Sequence, residues 1–524
     1  MNNKPGLSPN PAETCPQESR DRVPRILPED EFNRILVENT HPPTWTNPEP
    51  ASRYHLVVIG AGTAGIVSAA SCASLGGRVA LIERHLTGGD CLVAGCVPSK
   101  GIISASRLAA HLKRASEYGI RVPPGVAVDF PSVMARMRRL RARISHHDSV
   151  ESFRKLGIDV FIGQGRFTSP DSVEVDGKRL RFARAVIATG SRAGIPPIPG
   201  LQEAGFLTNE TIFELTELPR RFAMIGAGPI GSEMAQTFRR FGSEVTLINQ
   251  APQILHREDP DAAAILQRVF VKEGMHLILN AKVLRVDRRG GTKVLVVEHD
   301  GKTEEVPCDA ILVSTGRIPN TDGLGLEAAG VAYDKSGVKV NDRLQTANPR
   351  IFAAGDICAP FKFTHTAYAL ARIALVNAFF FGRQKMSGLV VPWCTYTDPE
   401  IAHVGLYERE AKGFGMEITT LTESLSENDR AILEGEEEGF VRVHLKKGTD
   451  KILGATVIAS HAGEMLNLFT LAMTTGKGLS ALSNMIYPYP TQSEIIKKLA
   501  NSYLATKLTP TVKGLLSCIV KLRR

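Results

Sequence analysis

The stretch YHLVVIGAGTAGIVSAASCASLGGRVALIE, Tyr54 to Glu83, decides the fold. Its opening "YHLVVIG" is a continuous apolar run of strand length, as in a parallel strand buried on both faces. A helix of small residues follows, and "RVALIE" is a second apolar strand, so the segment is a βαβ unit. The turn carries Gly60-Ala-Gly62-Thr-Ala-Gly65. In such a turn the first glycine permits the tight bend, the second lets the backbone approach a pyrophosphate, and the third lets helix and strand pack closely. The phosphate then sits against free N–H groups at the helix start. Glu83 ends the second strand, where its carboxylate is placed for ribose hydroxyls. A glycine fingerprint alone is a weak signal. With strand, helix, strand and terminal acid in order, it specifies a dinucleotide site rather than a plain Gly-rich turn.

The unit occurs twice. "RFAMIG" is a strand, "AGPIGSEMAQTFRRFG" a helix and "SEVTLIN" a strand, with Gly226, Gly228 and Gly231 at the corresponding places. Here Asn249 takes the acidic position. A carboxylate there would repel a 2′-phosphate and favour NADH, whereas Asn removes the repulsion. His256 and Arg257 lie just beyond, so the reading leans to NADPH over NADH; the alternative is that they are only exposed loop side chains. Three further apolar strands end in glycine: "ARAVIATGS" with Thr189 and Gly190, "DAILVSTGRIPN" with Gly316, and "PRIFAAGDI" with Asp356 nearby. Such strands deliver loops to a ligand at the carboxyl edge of a sheet. Two dinucleotide sites in one chain point to hydride transfer between two cofactors, with a flavin as the fixed one.

The chain of 524 residues suggests three or four domains, and 43% hydrophobic with 22% charged residues suits a soluble globular protein with a large core. The start, "MNNKPGLSPNPAETCPQESRDRVPR", is polar and Pro-rich without the apolar centre of a secretory signal, and no apolar run reaches 18 residues. The expectation is a cytoplasmic protein whose residues 1–52 form a flexible arm. The formal net charge is +9, and the densest basic run is "RMRRLRARISHH", Arg136 to His147. No aromatic residue interleaves it and no nucleic-acid motif accompanies it, so it reads as the solvated face of a long helix, with no nucleic-acid partner. From about Gly388 the texture changes to antiparallel strands such as "GFVRVHLKK" and "KILGATVIA", then helices, as in a separate α+β domain. The end, residues 509–524 with "VKGLLSCIVKLRR", is basic and apolar and reads as a terminal helix, with contact to a lipid surface as the alternative.

Among eight cysteines only two are close in sequence, Cys91 and Cys96 in "GGDCLVAGCVPSK". Three readings compete. A structural strut is not needed in a chain of this length. A permanent metal site needs a second ligand pair of suitable spacing, and none is present. A redox couple remains. Residues five apart on a regular helix are about 7.5 Å apart along its axis, and a disulfide wants Cα atoms roughly 5.5–6 Å apart. The pair therefore requires a distorted helix start, for which Gly88, Gly89 and Gly95 supply freedom. Pro98 suits the first turn of the helix that follows, whose positive end favours a thiolate at Cys96.

These motifs, in the order glycine fingerprint, GG-x-C-x4-C-x-P-S-K, ATG, second fingerprint, T-G-R-x-P-N and A-x-G-D, resemble the pyridine nucleotide–disulfide oxidoreductases over about residues 54–510. The resemblance implies an α/β fold with two Rossmann-like domains of the three-layer ββα type and an α+β dimerisation domain. The FAD domain would span 53–200 and 310–387, the NAD(P) domain 201–309 and the dimerisation domain 388–508. It further implies FAD held by the first fingerprint with Glu83, Gly89, Thr189, Gly190 and Asp356. NADPH or NADH would lie on the second fingerprint with Asn249, Arg257 and Gly316. Lys100 would lie near the flavin ring paired with Glu233, Cys91 would be the interchange thiol, and Cys96 the charge-transfer thiol. The dimerisation domain would close the partner's site in a homodimer. There the family carries His-Pro-Thr-x-x-Glu, and this chain has Tyr489-Pro-Thr-Gln-Ser-Glu494. Tyr titrates near 10 and His near 6.5, so Tyr489 is a poor base at neutral pH. Mercuric reductases resemble the chain better at this position, and a soft metal ion bound transiently by Cys91 and Cys96 needs ligands more than a general acid. Their paired cysteines near the carboxyl end are represented only by Cys518, and a paired-Cys motif near the amino end only by Cys15. The expected acceptor is Hg(II) or another soft metal–thiolate. A low-molecular-weight or protein disulfide and a quinone are the alternatives, and a membrane-associated redox sensor is the reading of another class.

Overall fold

The strand Tyr54–Ile59 lies at the centre of a parallel sheet, between Val79–Glu83 and Lys178–Ile187, in a computed structural model that describes residues 23–523. Cys15 and the rest of segment 1–22 lie outside the described residues. Ile158–Ile162 and Ile351–Ala353 extend the sheet, also in parallel. Both faces of the central strand are covered, which accounts for its uninterrupted apolar sequence. Leu56 and Val58 point to helices Thr63–Ser74 and Thr364–Phe379. Val57 and Ile59 point to the opposite side, where Arg166–Ser169, Ser172–Val175 and the start of Lys178–Ile187 form an antiparallel layer packed through Phe167 and Val173.

The layering repeats in the second unit. Strands His276–Ile278, Glu244–Ile248, Arg221–Ile225 and Ala310–Val313 are parallel. Phe222 and Met224 face helices Pro229–Phe241 and Pro260–Lys272. Ala223 and Ile225 face an antiparallel layer of Lys282–Arg289, Thr292–His299 and Lys302–Cys308. The expected boundary at 309/310 shifts here. Ala310–Val313 runs along Arg221–Ile225 with its side chains in the second core, so the chain leaves this unit only after that strand.

The carboxyl-terminal unit is a five-stranded antiparallel sheet in the order Pro392–Thr395, Glu400–Gly405, Ile452–Ala459, Phe440–Lys446 and Ile418–Ser424, backed by helices including Glu494–Thr506. Two polar clusters join it to the second unit. Arg240, almost fully buried, donates to Glu273 at 2.7 Å and to Asp398 at 2.8 Å. The buried Glu258 carboxylate accepts from the Tyr407 hydroxyl at 2.5 Å and from Trp393 Nε1 at 2.9 Å.

Two further expectations are corrected. Residues 23–52 do not form a free arm. Asp30 caps helix Glu31–Thr40, whose Leu36 is fully buried against Leu86 and Leu92, while the Asn47 side chain bonds both the N–H and the carbonyl of Ile162 on the sheet edge. A few apolar side chains meeting an apolar loop, together with edge hydrogen bonds, tie the segment down. Nor is the basic run a wholly solvated face. Within helix Phe130–Ser145, Arg138 and Arg141 are buried, and they bond Asp30 and Asn33 of that same amino-terminal segment. The two departures are one fact, since the segment covers the arginines.

Candidate active site

The redox motif folds as two helices with a break between them. Gly88 and Gly89 adopt φ of +92° and +60° and start the short helix Gly89–Val93; Ala94 and Gly95 interrupt it, and Cys96 begins the long helix Cys96–Arg114. A Cβ on Gly95 would lie 2.7 Å from the Asp90 carbonyl, so this break accepts only glycine without displacement. Carbonyls left open at the end of a short helix need partners. Val93 receives Arg141 Nη1 at 2.6 Å, and Ala94 receives Asn209 Nδ2 at 3.2 Å. Asn209 also donates to Asp90, which pairs with Arg317 at 3.0 Å. Burial outweighs that cation and pushes the Asp90 carboxyl up to about 6.

Both cysteines are present as thiols, side by side. They titrate in opposite directions. A hydrogen bond from Cys91 is the main cause that lowers Cys96 to about 5, aided by the Thr364 hydroxyl at 3.5 Å and by Lys100. The same bond and burial push Cys91 far above the ordinary thiol. Cys96 and Thr364 are each the first residue of a helix, so two helix amino termini meet at this sulfur. The thiolate of Cys96 is therefore expected to persist at neutral pH and to vanish as pH falls through about 5. Thr364→Val and Lys100→Met are each expected to move that midpoint upward, toward the roughly 8.5 of a free thiol. A pH titration of the thiolate absorbance of the reduced protein measures it.

The expected Lys100–Glu233 pair is present at 2.8 Å. Glu233 is buried, and its second oxygen accepts the Tyr396 N–H at 2.9 Å, while Lys100 Nζ lies 4.4 Å from the Tyr396 ring centre. Tyr396 and Thr364 were not anticipated from the sequence. "CTYT" carried a family likeness but no chemistry of its own, and Thr364 reaches Cys96 across 268 residues of chain.

A single cavity of about 3610 Å³ runs past both fingerprints, the thiols, Lys100 and Asp356. It reaches both glycine turns, so one space serves both. A Cβ on Gly60 (φ +100°) would lie 2.4 Å from the Ala188 carbonyl, and one on Gly65 1.7 Å from that of Gly60, so these two glycines pack the turn. A Cβ on Gly62 would meet only the Gly89 Cα, at 3.9 Å, and one on Gly228 nothing within 4 Å; these two open on the cavity at the helix starts, where a pyrophosphate fits. Gly190 and Gly316 are equally open, and Asp356 accepts from Ser191 at 2.6 Å beside Arg317. Thr189 closes the floor by donating to the Asn320 carbonyl. The amino-terminal segment, through His41, Pro42 and Trp45, forms one wall near Glu83. Removing residues 1–47 is expected to speed loss of bound flavin by about tenfold or more, since that wall buries ligand surface; the recovery of free-flavin fluorescence on dilution measures it.

The residues that end the second strand of each unit share one device. Glu83 Oε2 accepts the Ala61 N–H at 2.7 Å, and Asn249 Oδ1 accepts the Ala227 N–H at 3.2 Å. Asn249 thus braces its own glycine turn, and it also donates to the Gln253 carbonyl at 2.7 Å. His256 and Arg257 are exposed on the cavity wall. If a 2′-phosphate lies beside these residues, Asn249→Asp raises the KM for NADPH about tenfold while sparing NADH, and Arg257→Ala does the same more weakly, because each changes the charge there; paired KM measurements decide it.

Tyr489 and Glu494 do not join the thiols within the chain. Neither lines the cavity; Tyr489 is 69% exposed and donates to Asp429 at 2.8 Å, which holds its hydroxyl above the usual tyrosine value. No histidine contacts either thiol among the described residues, and no cluster of three or more His, Cys, Asp or Glu is placed there to hold a metal ion.

Comparison with known proteins agrees with this geometry. Residues 54–375 match the pyridine nucleotide-disulphide oxidoreductase family and residues 391–500 its dimerisation domain. The mercuric reductase of Lysinibacillus sphaericus is 33% identical over 452 residues, covering 86% of this chain and 82% of that protein. The dihydrolipoyl dehydrogenase of Thermus scotoductus is 34% identical over 464 residues, covering 86% and 97%. Among solved structures, a Cu(II) complex of the HOCl-induced flavoprotein disulfide reductase RclA from Escherichia coli superposes with a TM-score of 0.76 at 28% identity, covering 85% of this chain and 99% of that one. LpdA from Mycobacterium tuberculosis superposes with 0.78 at 27%, covering 86% and 99%. With both of its matched regions in family order, the chain belongs to the pyridine nucleotide-disulphide oxidoreductases.

Proposed function

We propose that this FAD- and NAD(P)H-dependent oxidoreductase works as a homodimer that passes electrons from NADPH to the Cys91–Cys96 pair and on to a soft metal ion presented as a thiolate complex, with Hg(II) as the best fit. One observation carries the reading: a thiolate and a thiol stand together, and the chain has Tyr489 where the family has its proton-handling His. Reducing a disulfide takes two electrons and two protons, and a departing thiol must be protonated at neutral pH. Reducing Hg(II) held by two thiolates takes the same two electrons, but its thiolates leave a soft metal by ligand exchange, a step that leans less on a positioned acid. Two adjacent sulfurs, Cys91 and Cys96, suit the second reaction. Relatives named mercuric reductase and a structural relative solved with Cu(II) lend it further support.

FAD, when bound, supplies two-electron exchange between nicotinamide and sulfur. This chain's residues do the rest. Gly62 and Gly228 admit the pyrophosphates, and Lys100, fixed by Glu233, places a cation beside the ring site. Thr364 and Cys91 hold Cys96 as thiolate, leaving Cys91 to hold the proton and to meet the acceptor. The test is anaerobic oxidation of NADPH and NADH with Hg(II)–thiolate, Cu(II), oxidised glutathione, lipoamide and a quinone, with Cys91→Ser as control. Fastest turnover of a metal–thiolate, lost in the variant, is expected. Faster turnover of lipoamide or glutathione, or undiminished quinone turnover as the main activity in Cys91→Ser, overturns the proposal.

A further inference from the structure

The terminal helix Pro510–Leu522 lies beyond both matched regions, and none of its residues is buried. Its start is built locally: Thr509 caps it by accepting the Val512 N–H, and Pro510 occupies its first turn. Its sides are sharply divided. Val512, Leu515, Leu516, Ile519, Val520 and Leu522 occupy one face, each between 38% and 81% exposed. Lys513, Ser517 and Lys521, four residues apart, line the other. An isolated helix of this length is marginal in water, and an apolar face of six large side chains calls for a cover that the described residues do not provide.

Charge selects the cover. From Asn501 to Arg524 there are five cations, Lys507, Lys513, Lys521, Arg523 and Arg524, and no Asp or Glu. A second copy of the helix would bring five more cations against these. A membrane surface with anionic headgroups satisfies both halves, apolar side chains entering the acyl boundary while lysines stay among the phosphates. Thirteen residues span about 20 Å as a helix, short of the roughly 30 Å hydrocarbon core, so the helix would lie in the plane rather than cross. Among the described residues no helix is long and apolar enough to cross. We infer that Pro510–Leu522 docks the enzyme on anionic lipid, carrying it to electron acceptors at that surface.

The test uses full-length holoenzyme and vesicles of phosphatidylcholine with or without phosphatidylglycerol. Co-sedimentation is expected only with phosphatidylglycerol and to weaken in high salt. Leu515→Glu with Ile519→Glu, Lys513→Glu with Lys521→Glu, and removal of residues 509–524 are each expected to cut the bound fraction about tenfold or more, with NADPH oxidation in solution unchanged. Absence of binding by the unaltered enzyme, or equal binding by the variants, overturns the inference. So does a drop in solution mass by light scattering on removing the tail without lipid, which would assign the apolar face to a second copy. None of these outcomes depends on which acceptor the thiols serve.

Discussion

Cys96→Ser is expected to lose the long-wavelength thiolate–flavin absorbance on anaerobic reduction and to lower turnover of any acceptor served by the thiols by on the order of 10³-fold or more. A serine hydroxyl stays protonated where the Cys96 sulfur titrates at about 5. The two cysteines should then separate cleanly. Cys91→Ser keeps a hydroxyl donor beside Cys96, so the absorbance is expected to survive while turnover is lost. Cys91→Ala removes the bond that most lowers Cys96, so the pH midpoint of the absorbance should rise. Reduction of ferricyanide, which takes electrons directly from a flavin, should continue in all three variants and shows that the cofactors still bind. A Cys96→Ser enzyme that retained the absorbance would contradict the assignment of that sulfur.

Arg240→Ala is expected to lower stability by about 3 kcal/mol. Arg240 lies in the second Rossmann unit and holds Glu273 and Asp398 together, the latter belonging to the carboxyl-terminal unit. Breaking a buried ion pair costs about 3–5 kcal/mol, because an unpartnered charge is left behind; the partial exposure of both carboxylates moves the figure to the lower end. Adding Glu273→Gln to Arg240→Ala should therefore recover part of the loss, although it deletes a further polar contact. Thermal and urea unfolding of the three proteins measure this. A double variant less stable than the single one would mean that Glu273 supports the fold independently of Arg240.

Much of the site was legible because its chemistry is written in short segments. The glycine turns specify where backbone may approach a phosphate, and the open space beside Gly62 and Gly228 is where the spacing put it. The break between Cys91 and Cys96 followed from three glycines and a bond-length argument. The Lys100–Glu233 pair came from family likeness, since nothing local joins residues 133 apart. Other features had no local signature. Thr364 and Tyr396 are ordinary residues until a distant helix start and a strand end place them at the sulfur and the lysine. Asn249 read as a missing charge, and the fold adds that its side chain is occupied in bracing its own turn.

By itself, the sequence determined that two dinucleotide turns and one cysteine couple share a chain, because turn geometry, strand burial and thiol spacing are local properties of neighbouring residues. Only the tertiary structure decided that residues between 23 and 47 line the cavity beside the first glycine turn, and that Arg141 in a basic run caps the short helix carrying Cys91. It alone decided that Ala310–Val313 belongs to the second sheet, and that the Cys96 proton is governed by Cys91, Thr364 and Lys100. Each of these depends on which remote surface excludes water from a group. A segment's composition does not encode its neighbours, and burial and electrostatics are sums over those neighbours.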